Sequence, residues 1–131
     1  MKYLQYLFAS VLLVVIDSFW LGYVASGLFK SQIKTIQNSK MRINMTAVIL
    51  AYLFIIFGLN YFIIKENKTP LEAAFLGWII YFIYDLTNKA IFDKYSWLTV
   101  LIDGLWGGVL FGSTTYITYQ LTKLFKISNS R

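Results

Sequence analysis

Three aspartates, Asp17, Asp85 and Asp103, lie inside long apolar stretches of the chain. A charged side chain at membrane depth is costly and usually faces protein or water, which makes each of them a candidate functional group. Carboxyl groups in such positions bind protons or cations in pumps and transporters. The sequence therefore points first to proton or cation chemistry.

Missing residue types exclude much other chemistry. The chain has no Cys and no His, so disulfides, thiolate metal sites and His-based nucleophilic triads cannot form. A lipid-modifying enzyme could still use the aspartates as metal ligands or as an acid–base pair. We predict no catalytic residue and no cofactor, although a bound cation is an alternative, and a protein without enzymatic activity is favoured.

Apolar residues make up 58% of the 131-residue chain, and charged residues only 14%. A soluble domain of this size could not bury so much apolar surface. The apolar residues form four runs of about 22 to 28 residues, and about 20 suffice to cross the hydrocarbon core. We predict one membrane domain, residues 1–131, an all-α integral membrane bundle of four transmembrane helices in up-down-up-down order. The helices are expected at residues 4–28, 43–64, 71–92 and 97–124.

Local signals mark the helix ends. Thr69, Pro70 and Glu72 have the spacing of a capping box with proline at the first helical position. Ser96 is a candidate cap for the last helix, and residues 38–39 (Asn-Ser) for the second. The connection at residues 29–42 predicts either a short interfacial helix on the membrane or an ordinary polar loop.

The net charge is +6, and the cations lie between the apolar runs. This pattern suits contact with anionic lipid headgroups rather than with nucleic acid, which would need a basic stripe. Each side of the predicted bundle carries six Lys or Arg residues, so the positive-inside rule gives no orientation. Cytoplasmic termini are expected only by default, and the kind of membrane is unassigned.

The three aspartates fall at a similar predicted depth. With about 1.5 Å of rise per residue, each lies roughly 20 to 21 Å from the side that holds the termini, in a core of about 30 Å. Aromatic and polar residues share their helical faces. Together they predict a polar binding pocket near one membrane face, formed by Asp17, Trp20, Tyr81, Asp85, Asn88, Lys89, Asp103 and Trp106.

Electrostatics constrains this pocket. Three ionised carboxylates would repel, so one must be protonated, or a cation such as Lys89, a metal ion or a substrate amine must lie among them. Lys89 follows Asp85 by four residues and can pair with it. The pocket also predicts that Asp85→Asn alters the apparent pKa of Asp17 or Asp103. The alternative is that Asp17 only holds helices together and that Asp103 is only an N-terminal residue stabilised by the helix dipole.

A glycine row, Gly104-x-x-x-Gly108-x-x-x-Gly112, follows Asp103. Small residues at this spacing let another helix approach closely. Ala73-x-x-x-Gly77 in the third helix is a candidate partner, and internal packing is favoured over a homodimer.

Three segments resemble an uncharacterised family of small four-helix membrane proteins from bacteria and large DNA viruses, classed as a domain of unknown function. They are residues 17–21 (Asp-Ser-Phe-Trp-Leu), 84–88 (Tyr-Asp-Leu-Thr-Asn) and 103–107 (Asp-Gly-Leu-Trp-Gly). The resemblance spans nearly the whole chain, implies a four-helix membrane fold and implies no activity.

Three functions remain open at this point. The first is a proton- or cation-coupled transporter or channel that uses the intramembrane aspartates. The second is a non-catalytic structural component of a cellular or virion membrane. The third is the lipid-modifying enzyme.

Overall fold

The computed structural model describes residues 2–37 and 44–129. Helix α1 spans Lys2–Trp20 and continues through a first π-helical segment, Leu21–Ala25, into α2 at Ser26–Gln37. Helix α3 spans Met45–Leu59 and continues into a second π segment at Asn60–Ile64. Helices α4, Pro70–Ile91, and α5, Trp97–Asn129, complete the chain. The described residues thus form four helical rods and no strand, which confirms the all-α class.

Three rods are long and apolar enough to cross a membrane by length and composition, at residues 2–37, 45–64 and 97–128. Helix α4, with 22 residues, also exceeds the length that spans a bilayer core. It packs along α5 over most of its length. The four rods agree with the predicted four-span bundle.

Two of the predicted helix caps lie within the described residues. Thr69 and Glu72 form the complete capping box, with Pro70 in the first turn. The Ser96 hydroxyl accepts from the N–H groups of Leu98 and Thr99. Both predictions are confirmed. The caps predicted at residues 38–39, and the helix start predicted at residue 43, lie outside the described residues. Within those residues, Asn44 caps α3 by accepting from the N–H of Ala47 at 3.1 Å.

The connection after the first span is helical as far as Gln37, so a polar loop is the wrong interpretation for residues 29–37. Its position on the membrane surface stays a prediction. The Gln32 side chain ties α2 to the connection between α4 and α5. Gln32 Nε2 donates to the carbonyl of Lys94 at 2.6 Å, and Gln32 Oε1 accepts from the N–H of Ser96 at 2.6 Å.

Helices α4 and α5 cross with their backbones in close contact. The contact is made by Gly77 and Gly107, because a Cβ on Gly77 would collide with the Gly107 carbonyl group. The predicted glycine row faces larger side chains of α4 instead: Gly104 lies against Phe82, Gly108 against Trp78, and Gly112 near Ala74. The row therefore contacts α4 of the same chain, and homodimerisation stays a prediction.

The remaining core draws on α1, the end of α3, the second π segment, α4 and α5. Its side chains are apolar: Ala9, Leu13, Leu59, Ile63, Ile64, Ala73, Leu110 and Phe111. Asn60 adds a polar contact, donating through Nδ2 to the Ser10 hydroxyl at 3.1 Å. This core fixes the rotation of α1 and thereby the direction in which Asp17 points.

Candidate functional site

Asp17 joins three helices. Ala9, Leu13 and Asp17 are the buried residues of α1, and their spacing of four places them on one face. The Tyr52 hydroxyl of α3 donates to Asp17 Oδ2, and Trp106 Nε1 of α5 donates to Asp17 Oδ1 at 2.9 Å. Both carboxylate oxygens of Asp17 therefore have a donor from another helix.

Asp85 lies on the buried face of α4 with Ala73 and Gly77. Its side chain is 0% exposed. The Tyr95 hydroxyl, from the connection before α5, donates to Asp85 Oδ1 at 2.7 Å. Asp85 Oδ2 is buried and has no hydrogen-bond donor. An acceptor left unpaired inside a protein is expensive, so this oxygen marks a place for a proton or a cation.

Asp103 of α5 faces Asp85. Its side chain is 5% exposed, and its carboxyl lies within hydrogen-bonding reach of the Asp85 carboxyl. Two facing carboxylates cannot both stay ionised without a cation between them. A proton on either group would turn this approach into a hydrogen bond. Asp85 and Asp103 are called the carboxyl pair below.

Aromatic rings connect the carboxyl pair to Asp17. The indoles of Trp20 and Trp106 are stacked, with ring centroids 4.5 Å apart and planes at 5°. The Trp20 N–H approaches the Asp103 carboxyl but makes no well-formed hydrogen bond. Tyr81 lies within electrostatic reach of all three aspartates, and its ring contacts Phe111 edge to face at 6.3 Å. Six of the eight residues predicted for the pocket therefore lie at or beside the carboxyls.

Two residues of the predicted pocket lie differently. Lys89 does not form the ion pair with Asp85 that its spacing allows: its Nζ donates to the backbone carbonyl of Asp93 at 3.0 Å and lies 5.5 Å from the Trp97 ring centre. Spacing of four brings two side chains to the same helical face, but Asp85 points inward and Lys89 reaches along the helix end. Asn88 lies at the edge of the site, near the hydroxyls of Tyr84 and Tyr95.

The groups that surround the three carboxyls differ from the ligands of a metal site. The described part of the chain contains no group of three or more acidic side chains placed to hold a metal ion. The donors around the carboxyls are hydroxyl and indole groups, which suit a carboxylate or a carboxylic acid. This arrangement can bind and release a proton within the carboxyl pair while Asp17 stays hydrogen-bonded.

Two tyrosines of the site were not predicted from the sequence. Tyr52 is the only polar side chain between Thr46 and Asn60, and this isolation inside an apolar run is a signal that could have found it. Tyr95 lies in a connection, where nothing in the sequence distinguishes it from an interfacial aromatic residue. Burial, followed by its hydrogen bond to Asp85, raises the pKa of Tyr95 above its ordinary value, so it remains a donor.

The fold and the site define a multi-pass helical membrane protein with buried aspartates on three of its helices. The chain belongs to the family of predicted membrane proteins DUF2177, which matches residues 2–120. The resemblance noted in the sequence is thereby confirmed. The chain matches no curated protein and no solved structure.

Proposed function

We propose that this membrane protein carries protons across the bilayer and that the carboxyl pair is its proton-binding site. The observation that supports this proposal most is that the carboxyls of Asp85 and Asp103 lie within hydrogen-bonding reach of each other, while Asp85 Oδ2 is buried without a donor. While the two carboxyls are in contact and away from water, the pair needs a proton to be stable, because two carboxylates in contact repel. Opening of the pair toward water would release that proton.

The surrounding groups favour a proton over a fixed cation. Lys89, the nearest cation on the same helix in the sequence, donates to a backbone carbonyl instead. Tyr81 and Tyr95 present hydroxyl groups, which can donate to or accept from a carboxyl. Asp17, with its donors in place, adds negative charge nearby and raises the attraction of the site for a positive ion.

A second candidate function is supported by Asp17 itself. Its two oxygens accept from Tyr52 and Trp106 on two other helices. Such bonds hold helices together in membranes, as in a structural membrane component that transports nothing. This candidate requires the carboxyl pair to contribute only to stability.

The test is proton flux in proteoliposomes that contain the purified full chain and an internal pH indicator. A potassium diffusion potential drives protons inward. We expect flux above that of protein-free liposomes, and a loss of about tenfold or more in Asp85→Asn and in Asp103→Asn, because each removes the shared proton site.

The matched control is Asp93→Asn, the same exchange at an exposed position outside the site. It should retain wild-type flux. Thermal unfolding in detergent shows whether each variant is folded. Folded wild-type protein with no flux above empty liposomes would refute proton transport, and so would folded pair variants with undiminished flux.

A further inference from the structure

An apolar groove of about 350 Å³ lies on the outer surface of the bundle, beside the aspartates. Tyr23, in its wall, is 82% exposed, so the groove opens toward the surroundings of the bundle. The lining residues come from α1, the first π segment and α5: Ile16, Phe19, Trp20, Tyr23, Val24 and Trp106.

The floor of the groove is the stacked indole pair of Trp20 and Trp106. Both indoles line the groove, whereas their N–H groups are directed toward the acids. Trp106 Nε1 donates to Asp17. Trp20 Nε1 is buried without a hydrogen-bond acceptor, near the carboxyl of Asp103. The indole pair therefore stands between an apolar groove and a group of carboxyls.

We infer that this groove binds a lipid-soluble organic cation that reaches it from the bilayer. Apolar groups of the ligand would pack on the indoles, and its positive charge would be attracted by the aromatic faces and by the carboxyls behind them. An anionic solute would be repelled by the same carboxyls. An uncharged acyl chain would gain the apolar contact alone.

The first π segment, Leu21–Ala25, forms part of the groove wall. π-Helical turns are rare and occur frequently at functional sites. Here the wider turn places Tyr23 and Val24 beside the groove, directly after Trp20. The first π segment thus lies where the apolar groove adjoins the aspartates.

The inference rests on the proposed function, because the ligand's charge and the transported proton would use the same carboxyl pair. A bound cation disfavours protonation of the pair, and protonation disfavours the cation. The ionisable groups within electrostatic reach of the pair are Asp17, Tyr81, Tyr84 and Tyr95, and Tyr52 donates to Asp17. Tyrosine has an ordinary pKa of about 10, so competition at and below about pH 8 belongs to the carboxyls.

The experiment is equilibrium dialysis of the full chain in uncharged detergent with tetraphenylphosphonium as the probe. We expect saturable binding. Where one proton displaces one cation, the affinity should fall by roughly tenfold for each unit by which the pH is lowered. Asp103→Asn should remove this pH dependence. Val24→Trp should fill the groove and weaken binding by about tenfold. Val11→Trp is the matched control, because Val11 has nearly the same exposure, 53% against 54%, away from the groove.

Neutral triphenylphosphine oxide, which has similar aromatic bulk, separates charge from apolar contact. Equal affinity for the oxide and the phosphonium would overturn the inference, as would binding unaffected by both pH and Val24→Trp. Proton flux measured on the same preparation separates the two proposals. Flux without cation binding refutes the groove ligand and leaves proton transport standing. Cation binding that depends on pH and on Asp103, without flux, supports the ligand site and refutes transport.

Discussion

Asp17 and the carboxyl pair use the same side chain in opposite ways. Asp17 has a donor for each oxygen, one from α3 and one from α5. Asp85 has a donor for one oxygen and none for the other, and its carboxyl lies beside that of Asp103. All three are nearly or fully buried, with 0% to 5% of their surface exposed.

Burial and residue type are therefore the same at both places, and the number of hydrogen-bond donors differs. Two carboxyls in contact cannot both stay ionised, whereas a carboxylate with a donor for each oxygen can. On the function proposed above, Asp17 contributes mainly to stability and the carboxyl pair mainly to proton binding.

The largest expected effect comes from breaking the helix crossing that holds the carboxyl pair. Gly77→Ala places a methyl group against the Gly107 carbonyl group, and backbone cannot give way as a flexible side chain can. We expect a loss of about 3 kcal/mol or more in the free energy of unfolding, as for severe overpacking. The measurement is unfolding by SDS titration in mixed micelles.

Gly58→Ala is the control for this variant. Gly58 also lies in a membrane helix, α3, but nothing is within 4 Å of the position of its Cβ. Its exchange should leave stability unchanged or slightly higher. Equal stability of the two alanine variants would contradict the close α4–α5 crossing.

A smaller effect tests the comparison directly, with the same exchange at two aspartates. Asp17→Asn leaves one carbonyl oxygen for two donors and turns an amide N–H toward one of them. We expect it to cost roughly 1 to 3 kcal/mol, the penalty of a buried unpaired polar group. Asp85→Asn keeps an oxygen for Tyr95 and offers its amide to Asp103, so its stability should equal or exceed that of the wild type.

The same SDS titration measures both asparagine variants. If Asp85→Asn were as destabilised as Asp17→Asn, the two sites would be alike, and the distinction between them would be lost.

The smallest effect concerns the hydrogen bond from Tyr52 of α3 to Asp17 of α1. Tyr52→Phe removes the hydroxyl that donates to Asp17. In a double-mutant cycle with Asp17→Asn, we expect a coupling energy of about 1 kcal/mol. Tyr61→Phe serves as the control, since Tyr61 follows α3 on the same rod and packs on Phe57. A coupling for Tyr52 no larger than that for Tyr61 would refute the bond.

Much of the fold follows from local features of the sequence. Apolar runs longer than a bilayer core predict the four rods, and the pattern of Thr69, Pro70 and Glu72 predicts the start of α4 before any tertiary contact is known. The continuation of the first rod to Gln37 was only one of two predictions for that segment. Its helix is held in part by Gln32, whose partners at residues 94 and 96 are distant in the chain.

The site was predicted less completely. The free-energy cost of a charge at membrane depth marks Asp17, Asp85 and Asp103 as unusual. Helical phase places Trp20 and Trp106 on the same faces as two of these aspartates. The side chains that bond to each aspartate could not be predicted in that way. The spacing of Lys89 from Asp85 allows an ion pair that the structure does not form. Tyr52 and Tyr95 were missed because tyrosine in a membrane protein is ordinarily an interfacial residue.

The sequence alone determined that the chain spans a membrane and that three acids lie within its spans, because hydropathy and the cost of a buried charge depend on local composition. Which aspartate has a hydrogen-bond donor for each oxygen, and which does not, follows only from the tertiary structure. That outcome depends on the rotation and closeness of the helices, set by the contact of Gly77 with Gly107 and by the core around Leu13. A small rotation of α1 or α5 would exchange the donors of Asp17 for solvent or lipid, and no local pattern encodes that angle.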